Sequence, residues 1–223
     1  MADSRALTAE KPLVPGVLAG QFESIEQQHG ADLLGMWIFL ATEIMFFGGL
    51  FCGYAIYRYS FPEVFAKASH HLDVLFGAID TAVLLCSSLT MALGVHGARV
   101  GHRRTLLVSL VLTMLLGATF LSIKSVEYVH KFEEGLVPGI YFTYAGPEAP
   151  HVELFVWLYF VLTGVHAVHL MIGIGAVGVI AFMGSRGRFG PAYHTPVELV
   201  GLYWHFVDVV WIFLLPLLYL LHH

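Results

Sequence analysis

The sequence predicts an all-α integral membrane protein built as a bundle of five transmembrane helices. Of its 223 residues, 57% are hydrophobic and only 12% are charged, a balance outside the range of soluble domains of this size. Five apolar stretches are long enough to cross a bilayer. In lipid each has to be a helix, because a lone strand would leave its backbone polar groups unpaired. The predicted spans are residues 33–57, 72–96, 105–127, 153–182 and 197–221.

The segments outside the spans complete the domain organisation. Residues 1–30 are predicted to be a polar tail without the pattern of a cleaved secretory signal, so we expect the first helix to direct insertion. Residues 31–223 form a single five-helix transmembrane domain. Glycines and prolines in residues 128–151 indicate a loop. Cys52 and Cys86 lie in separate apolar runs, which predicts small buried side chains and supports no disulfide or CxxC site.

Charge restricts both the partners and the orientation. A formal charge of −5 without a basic block argues against a nucleic-acid partner. Basic residues are retained on the inner side of a membrane, and the N-terminal side of the spans carries seven lysines and arginines against four on the other side. We therefore predict an N-terminus inside and a C-terminus outside.

The first span contains an acidic residue near its middle. An acidic side chain at mid-helix costs about 2.5 to 3.5 kcal/mol on insertion scales, so we expect Glu43 to face protein or water. A proton-handling carboxyl and a neutral, hydrogen-bonded carboxyl that fastens two helices both fit, and the two interpretations stay open. Gly49 and Gly53 form a GxxxG step, which predicts close packing of another helix.

The second and third spans carry further charged groups. Asp80 lies inside the second span and needs a partner or a proton, which makes it a second proton-handling candidate. Lys124 and Glu127 are three residues apart on one helix face, so we predict that they pair while the lysine reaches toward the membrane surface. Nearby hydroxyl groups are expected to bond their own helix or a neighbouring one. They belong to Ser87, Ser88 and Thr90.

Histidines recur at helical spacing in the last two spans. His166 and His169 could join His205 and Asp208 in a zinc or copper site. No HExxH motif and no further histidine pair typical of a di-iron centre accompanies them, so hydrogen bonds between helices and contacts with lipid headgroups are favoured over a metal.

The fifth span has its own start signal. The sequence from Thr195 to Glu198 fits a capping box, in which Glu198 does no more than begin the helix. Helical spacing places Glu198 on the same face as His205 and Asp208, and this face should point into the bundle. Three aromatic side chains are expected at the membrane interface or against lipid. These are Tyr203, Trp204 and Trp211.

The chain resembles subunit III of the haem-copper respiratory oxidases. The resemblance is carried by YWHFVDVVW at residues 203–211, LTGVHAVHLMIG at 162–173 and KSVEY at 124–128. It is also carried by DTAVLLCSSLT at 80–90 and WIFLATEIMFF at 37–47. These segments lie in all five spans, in the order of the family.

The resemblance implies an accessory subunit beside subunit I, with subunit II, in a complex that reduces dioxygen to water and pumps protons. The location implied is a bacterial inner membrane, with a larger respiratory supercomplex as a further possible partner. Haem and copper are expected in the partner subunits. No catalytic, metal-binding or cofactor-binding residue is expected in this chain.

For individual residues, the resemblance implies that Glu43 is the carboxyl that reacts with carbodiimides. The subunit is expected to bind phospholipid, to support proton uptake and to protect subunit I during turnover. A structural or lipid-binding polar seam is expected between the later helices. Its members are Glu127, His166, His169, His205 and Asp208.

Two departures from the family leave questions open. Many members have seven spans, and forms with five occur in both quinol oxidases and cytochrome c oxidases, so the electron donor stays open. Asp80 stands where the family usually has asparagine, and we predict that a protonated Asp80 replaces the amide as donor.

Three further functions fit parts of the sequence. A stand-alone proton or ion transporter using Glu43 and Asp80 is disfavoured because the spans show no inverted repeat. A metal-dependent membrane enzyme built on the histidines stays open, and metal analysis of the purified chain would decide it. An accessory role in nitric oxide reduction lies close to the oxidase family, and the motifs do not exclude it.

Overall fold

The chain folds into six helices in a computed structural model that describes residues 19–69, 72, 74–139, 142–144 and 146–219. All helices except α2 are long and apolar enough to cross a membrane, which makes five candidate spans. The predicted fold class is therefore confirmed, while the predicted orientation stays a prediction. The helices are α1 (Ile25–Ser60), α2 (Pro62–Ser69), α3 (Val74–Val100), α4 (Arg103–Glu133), α5 (Ala149–Ser185) and α6 (Thr195–Tyr219).

Four of the helices form a closed bundle, and α1 lies outside it. Helix α3 packs against α4 and α6, and α5 packs against the same two helices. Large buried side chains such as Phe120, Trp204 and Trp211 fill the space between them. Helix α1 makes its main contacts with α6, and α2 packs on α5. Most of the core thus lies in α3 to α6, and buried side chains of α1 and α2 extend it.

Helix α1 touches the bundle along a single line. Its buried side chains are Leu40, Phe47 and Tyr54, which recur every seven residues on one face. The helix begins at Ile25, well before the predicted span, because the hydroxyl of Ser24 accepts a hydrogen bond from the backbone N–H of Gln27. The predicted polar tail therefore ends inside a helix, and residues 1–18 lie outside the described part of the chain.

The remainder of α1 is open, which contradicts two predictions. A Cβ added at Gly49 or Gly53 would meet no described atom within 4 Å, so none of the described helices packs on the GxxxG step. Cys52 lies on the same open side and is exposed, as is Cys86 on α3. The prediction of buried cysteines was wrong because both helices turn these positions away from the bundle.

The connections between consecutive helices differ in length and in how closely they bring the helices together. Between α3 and α4, Gly97 allows close approach, since a Cβ there would lie 2.8 Å from the backbone nitrogen of Leu106. Gly101 completes this turn with a φ of +80°. The predicted loop over residues 128–151 starts later than expected, because α4 continues to Glu133. The last turns of α4 keep a buried face, on which Lys131 lies.

A surface ion pair fastens α2 to the start of α5. Lys67 Nζ donates to both carboxylate oxygens of Glu148, at 2.9 and 3.3 Å. This hydrogen bond and the negative charge of Glu148 raise the pKa of Lys67. Because Lys67 is exposed, water screens the pair and it adds little to stability.

Aromatic residues of α6 lie in the core rather than in lipid, contrary to the prediction. Trp204 and Trp211 are fully buried, and Tyr203 is nearly so. Each indole N–H has a hydroxyl partner on α3, Ser87 at 3.1 Å and Thr81 at 3.0 Å. These partners allow burial of two polar ring nitrogens, which the sequence of α6 alone does not reveal.

Candidate functional site

A buried lysine joins two acidic residues from two helices. Lys124 Nζ lies 2.6 Å from Glu127 Oε2, one turn away on α4, and 3.0 Å from Asp80 Oδ2 on α3. It also donates to the hydroxyl of Tyr219 at 2.8 Å and lies 4.6 Å from the ring centroid of Trp211. The predicted Lys124–Glu127 pair is confirmed.

The rest of this network closes around Glu127. Its Oε1 accepts hydrogen bonds from Tyr159 at 2.8 Å and from Tyr219 at 2.6 Å. Asp80 Oδ2 is within ion-pair distance of Lys124, and neither Asp80 oxygen accepts a well-directed hydrogen bond from a described residue. The protonation of Asp80 stays a prediction. The buried ion cluster, defined as Asp80, Lys124, Glu127, Tyr159 and Tyr219, thus connects α3, α4, α5 and α6.

The position of Lys124 corrects one prediction. The side chain is 4% exposed and does not reach toward the membrane surface. Its partner Asp80 is fully buried. The sequence held a signal for this contact, because Lys124 is the only lysine or arginine inside the five predicted spans. A buried Asp80 therefore had a single basic residue available at membrane depth.

Glu43 meets a histidine across the helix contact. Its Oε2 lies 3.1 Å from His169 Nε2 on α5, while His169 Nδ1 lies 2.8 Å from the carbonyl oxygen of Val165. A carbonyl only accepts, so Nδ1 carries a hydrogen. The contact at Nε2 then needs one proton, which belongs either to a neutral Glu43 carboxyl or to a charged His169. In both forms the Glu43–His169 pair holds a single proton and is neutral overall.

This pair lies in a groove on one side of α1. The apolar groove has a volume of about 430 Å³ and runs between α1, α5 and α6. Phe39, Ile172 and Val200 are among the apolar side chains along it. Glu43 and His169 keep 19% and 16% of their side chains exposed, so the proton-holding pair is accessible from the groove.

The remaining predicted site residues occupy two surroundings, one shared by His205 and Asp208 and another that holds His166. His205 Nδ1 lies 2.7 Å from the hydroxyl of Ser88, and Asp208 lies beside the same serine. His166 is fully buried between the rings of Phe120 and Trp211, with centroids at 5.5 and 5.2 Å. No described residue forms a hydrogen bond with His166 or with the carboxylate of Asp208.

The structure does not bring the predicted polar seam together. Glu127 belongs to the buried ion cluster and His169 to the Glu43 pair, while only His205 and Asp208 lie together, beside Ser88. Among the described residues, no three histidine, cysteine or acidic side chains converge as metal ligands. The prediction that hydroxyl groups of the second span bond a neighbouring helix is confirmed. The hydroxyl of Thr90 forms a hydrogen bond with that of Thr113 on α4 at 2.8 Å.

Glu198 does more than begin α6, so the capping-box prediction was wrong. Its Oε1 accepts from Arg99 Nε at 2.6 Å. The hydroxyl of Thr195 is 3.0 Å from His29 Nδ1, and the backbone N–H of Glu198 bonds the carbonyl of His194 instead. The competing partners come from α1 and α3, and a local motif cannot reveal them.

Comparisons with known proteins agree with this architecture. A family model described as cytochrome c oxidase subunit III matches residues 16–222. Cytochrome c oxidase subunit 3 of Corynebacterium diphtheriae is 36% identical, over 83% of this chain and 86% of the relative. Quinol oxidase subunit 3 of Bacillus spizizenii is 32% identical, over 85% and 87% of the two chains. Cytochrome bo(3) ubiquinol oxidase subunit 3 of Pseudomonas putida is 30% identical, over 85% of each.

Proposed function

Because the chain belongs to the cytochrome c oxidase subunit III family, we propose that it is the non-catalytic subunit III of a bacterial terminal oxidase. It is a multi-pass membrane protein and an accessory subunit of a haem-copper oxidase. Haem and copper are held by partner subunits I and II, and the complex lies in the inner membrane. Relatives named for cytochrome c and for quinol both match, so the proposal covers either electron donor.

The Glu43–His169 pair carries the functional part of the proposal. A groove lined by apolar side chains accepts the acyl chains of a phospholipid, and the pair holds one exchangeable proton at its side. The neutral pair can lose this proton or gain another one. In either case the pair carries a net charge of only one in the groove. We assign to the pair the proton-handling role of the subunit, in support of proton uptake by subunit I.

The orientation follows from the basic residues at the helix ends. Arg99, Arg103 and Arg186 lie at the same end of the bundle as the N-terminus of α1. Basic residues stay on the inner side of the membrane, so this end faces the cytoplasm. The Glu43–His169 pair then lies within the membrane, because Glu43 is near the middle of α1. A protease or label applied from one side of sealed vesicles tests this topology.

Chemical labelling tests the role of Glu43. A hydrophobic carbodiimide reacts with a protonated carboxyl in an apolar setting, so we expect it to modify Glu43 and to spare Glu127. Peptide mass spectrometry of the labelled chain locates the adduct, and Glu43→Gln should abolish it. Labelling that persists in Glu43→Gln, or that falls on Glu127, would remove Glu43 from the proposed role.

Purification tests the membership of the complex. The chain, carrying an affinity tag, is isolated in mild detergent and the co-purifying proteins are identified while a haem spectrum is recorded. We expect subunits I and II and a haem signal. A pure chain without any haem-bearing partner, obtained under conditions that preserve other respiratory complexes, would contradict the proposed function.

A further inference from the structure

A cavity at the helix ends leads to polar side chains inside the bundle. This N-terminal pocket has a volume of about 540 Å³ and lies between α1, α3 and α6. His205 lines it seven residues along α6 from Glu198, which corresponds to about 10 Å at 1.5 Å per residue. The pocket thus reaches a titratable side chain two helical turns below the helix ends. Its other titratable lining residues are His29, His96, Arg99 and Glu198.

His205 connects the pocket to a hydroxyl group on α3. Its Nδ1 lies 2.7 Å from Ser88 Oγ, and no described residue forms a hydrogen bond with its Nε2. One ring nitrogen is therefore engaged inside the bundle while the other is free for the pocket. An imidazole in this arrangement can take up a proton at one nitrogen and release a proton from the other.

Asp208 lies on the other side of the same hydroxyl group. The side chain is 3% exposed, and it follows His205 by three residues on α6. Its carboxyl group makes no well-directed hydrogen bond with a described residue, and Ser88 is the side chain close enough to supply one. A buried carboxylate without donors is unfavourable, so Asp208 needs either the hydroxyl of Ser88 or a proton of its own.

The hydrogens of these three residues have two consistent arrangements. When Asp208 is ionised, Ser88 donates to the carboxylate and accepts from Nδ1–H of His205. When Asp208 is protonated, its carboxyl group donates to Ser88, Ser88 donates to Nδ1, and Nε2 carries the hydrogen. A proton from the pocket that binds Nε2 converts the first arrangement into the second. The Nδ1 proton moves to Ser88, and the hydroxyl proton of Ser88 moves to the carboxylate.

The charged groups around these residues leave the proton on Asp208 without a competing partner. In the pocket, Arg99 Nε binds Glu198 Oε1 at 2.6 Å, so these two charges balance each other. On the bundle side, the nearest helices carry His166 on α5 and Lys124 on α4. Neither lies within hydrogen-bond or ion-pair distance of Asp208.

We propose that His205 and Ser88 form a relay that carries protons between the N-terminal pocket and Asp208. Asp208 is then a second reversible proton-binding site at membrane depth. The Glu43–His169 pair lies in the apolar groove between α1, α5 and α6 and shares no residue with this relay. Failure of either assignment therefore leaves the other intact.

Infrared spectroscopy tests the relay on the purified full chain in detergent micelles. A protonated carboxyl group gives a carbonyl stretching band that a carboxylate lacks, and the band shifts when deuterium replaces the proton. Spectra over a series of pH values locate the band, and Asp208→Asn identifies it by its loss. Asp208→Glu, a more conservative change, moves the band and identifies it even if the asparagine variant fails to fold. The rate of the shift after transfer to heavy water measures proton exchange at Asp208.

We expect the band of the natural chain to shift while the chain stays folded. Ser88→Ala and His205→Gln should each slow the shift about tenfold or more, because exchange then requires local opening of the bundle. Ser88→Thr keeps a hydroxyl group and should restore the rate. Ser87→Ala is the matched control. It removes the neighbouring hydroxyl, which accepts from the indole of Trp204 at 3.1 Å, and should leave the rate unchanged.

Four outcomes would overturn the assignment. Absence of the band at every pH at which the chain is folded would mean that Asp208 binds no proton. A band that shifts only on unfolding would mean that no route reaches it. A normal rate in Ser88→Ala or in His205→Gln would mean that protons arrive by another route. Equal slowing by Ser87→Ala would mean that packing, and not the relay, controls exchange. Either relay variant decides the question if the other fails to fold, and thermal unfolding identifies such a variant.

Discussion

The buried ion cluster and the Glu43–His169 pair both place a carboxyl group inside an apolar helix, but their surroundings differ. Glu127 is 3% exposed and has three donors from three helices, Lys124, Tyr159 and Tyr219. Glu43 has a single described hydrogen-bond partner and remains partly exposed in a groove. The first carboxyl is enclosed by the four-helix bundle, and the second lies at the loose contact of α1.

This difference separates a structural role from an exchangeable proton. A carboxylate held by three donors fastens its helices together, because the loss of any donor leaves a buried polar group unpaired. A carboxyl that shares one proton with a histidine beside an open groove can exchange that proton. Substitutions should therefore reduce stability in the cluster and change reactivity, but little else, at the pair.

Lys124→Met should produce the largest effect. It leaves Asp80 and Glu127 as buried carboxyl groups without a cation, and breaking a buried pair in this way costs about 3 to 5 kcal/mol. Thermal unfolding of the purified chain in detergent measures the loss. Adding Asp80→Asn should restore part of the stability, because the double variant has one fewer uncompensated carboxyl group.

The matched control for this substitution is Lys67→Met, which removes the exposed pair with Glu148. It should leave the unfolding temperature close to that of the natural chain, since water screens that pair. If Lys124→Met unfolded at the same temperature as Lys67→Met, the buried ion cluster would have no stabilising role.

Glu127→Gln should cost more than Asp80→Asn. The new amide can accept from the two tyrosines, but its NH₂ group then faces the ammonium of Lys124, and two opposed donors cost about 2 to 3 kcal/mol. Asp80→Asn removes an ionic contact and also the excess negative charge, so we expect a change within about 1 kcal/mol. Unfolding of both variants at one pH gives the order. The reverse order would mean that Asp80, and not Glu127, anchors the lysine.

Glycine substitutions compare the packing of the two regions. A Cβ at Gly117 would lie 2.9 Å from the Trp204 ring, whereas one at Gly53 would meet nothing. We expect Gly117→Ala to cost about 1 to 2 kcal/mol through overpacking and Gly53→Ala to be neutral or slightly stabilising. Unfolding of the isolated chain measures both. Destabilisation by Gly53→Ala in the whole complex alone would indicate that a partner subunit packs on that face.

The fold could be predicted because the lipid environment restricts it to few solutions. The lengths of the apolar runs determined the number of predicted spans. The predicted span 197–221 begins two residues after the observed start of α6 at Thr195. The beginning of α1 was missed, because Ser24 caps a polar turn that hydropathy does not register. Helix α2 was also missed, since its eight residues are too short for a span.

The contacts between helices were harder to predict. Helical spacing paired Lys124 with Glu127 because both lie on one face of the same helix. It does not show which other helix packs against that face. Asp80 reaches the lysine, and Glu43 reaches His169, only because of the order in which the helices pack. The histidines and Asp208 look alike in the sequence, yet they lie in different surroundings. The neighbouring helix distinguishes them: α1 for His169, α3 for His205 and Asp208, and α4 with α6 for His166.

Glu43→Gln should have the smallest effect on stability. When His169 Nδ1 donates to Val165, its Nε2 can accept from the new amide NH₂ as it does from a protonated Glu43 carboxyl. We therefore expect a change below about 0.5 kcal/mol, which unfolding alongside Lys124→Met would reveal. A loss above about 2 kcal/mol would mean that Glu43 and a charged His169 form a true ion pair. The pair would then be a structural contact of the same kind as the buried ion cluster, and its proton would not be exchangeable.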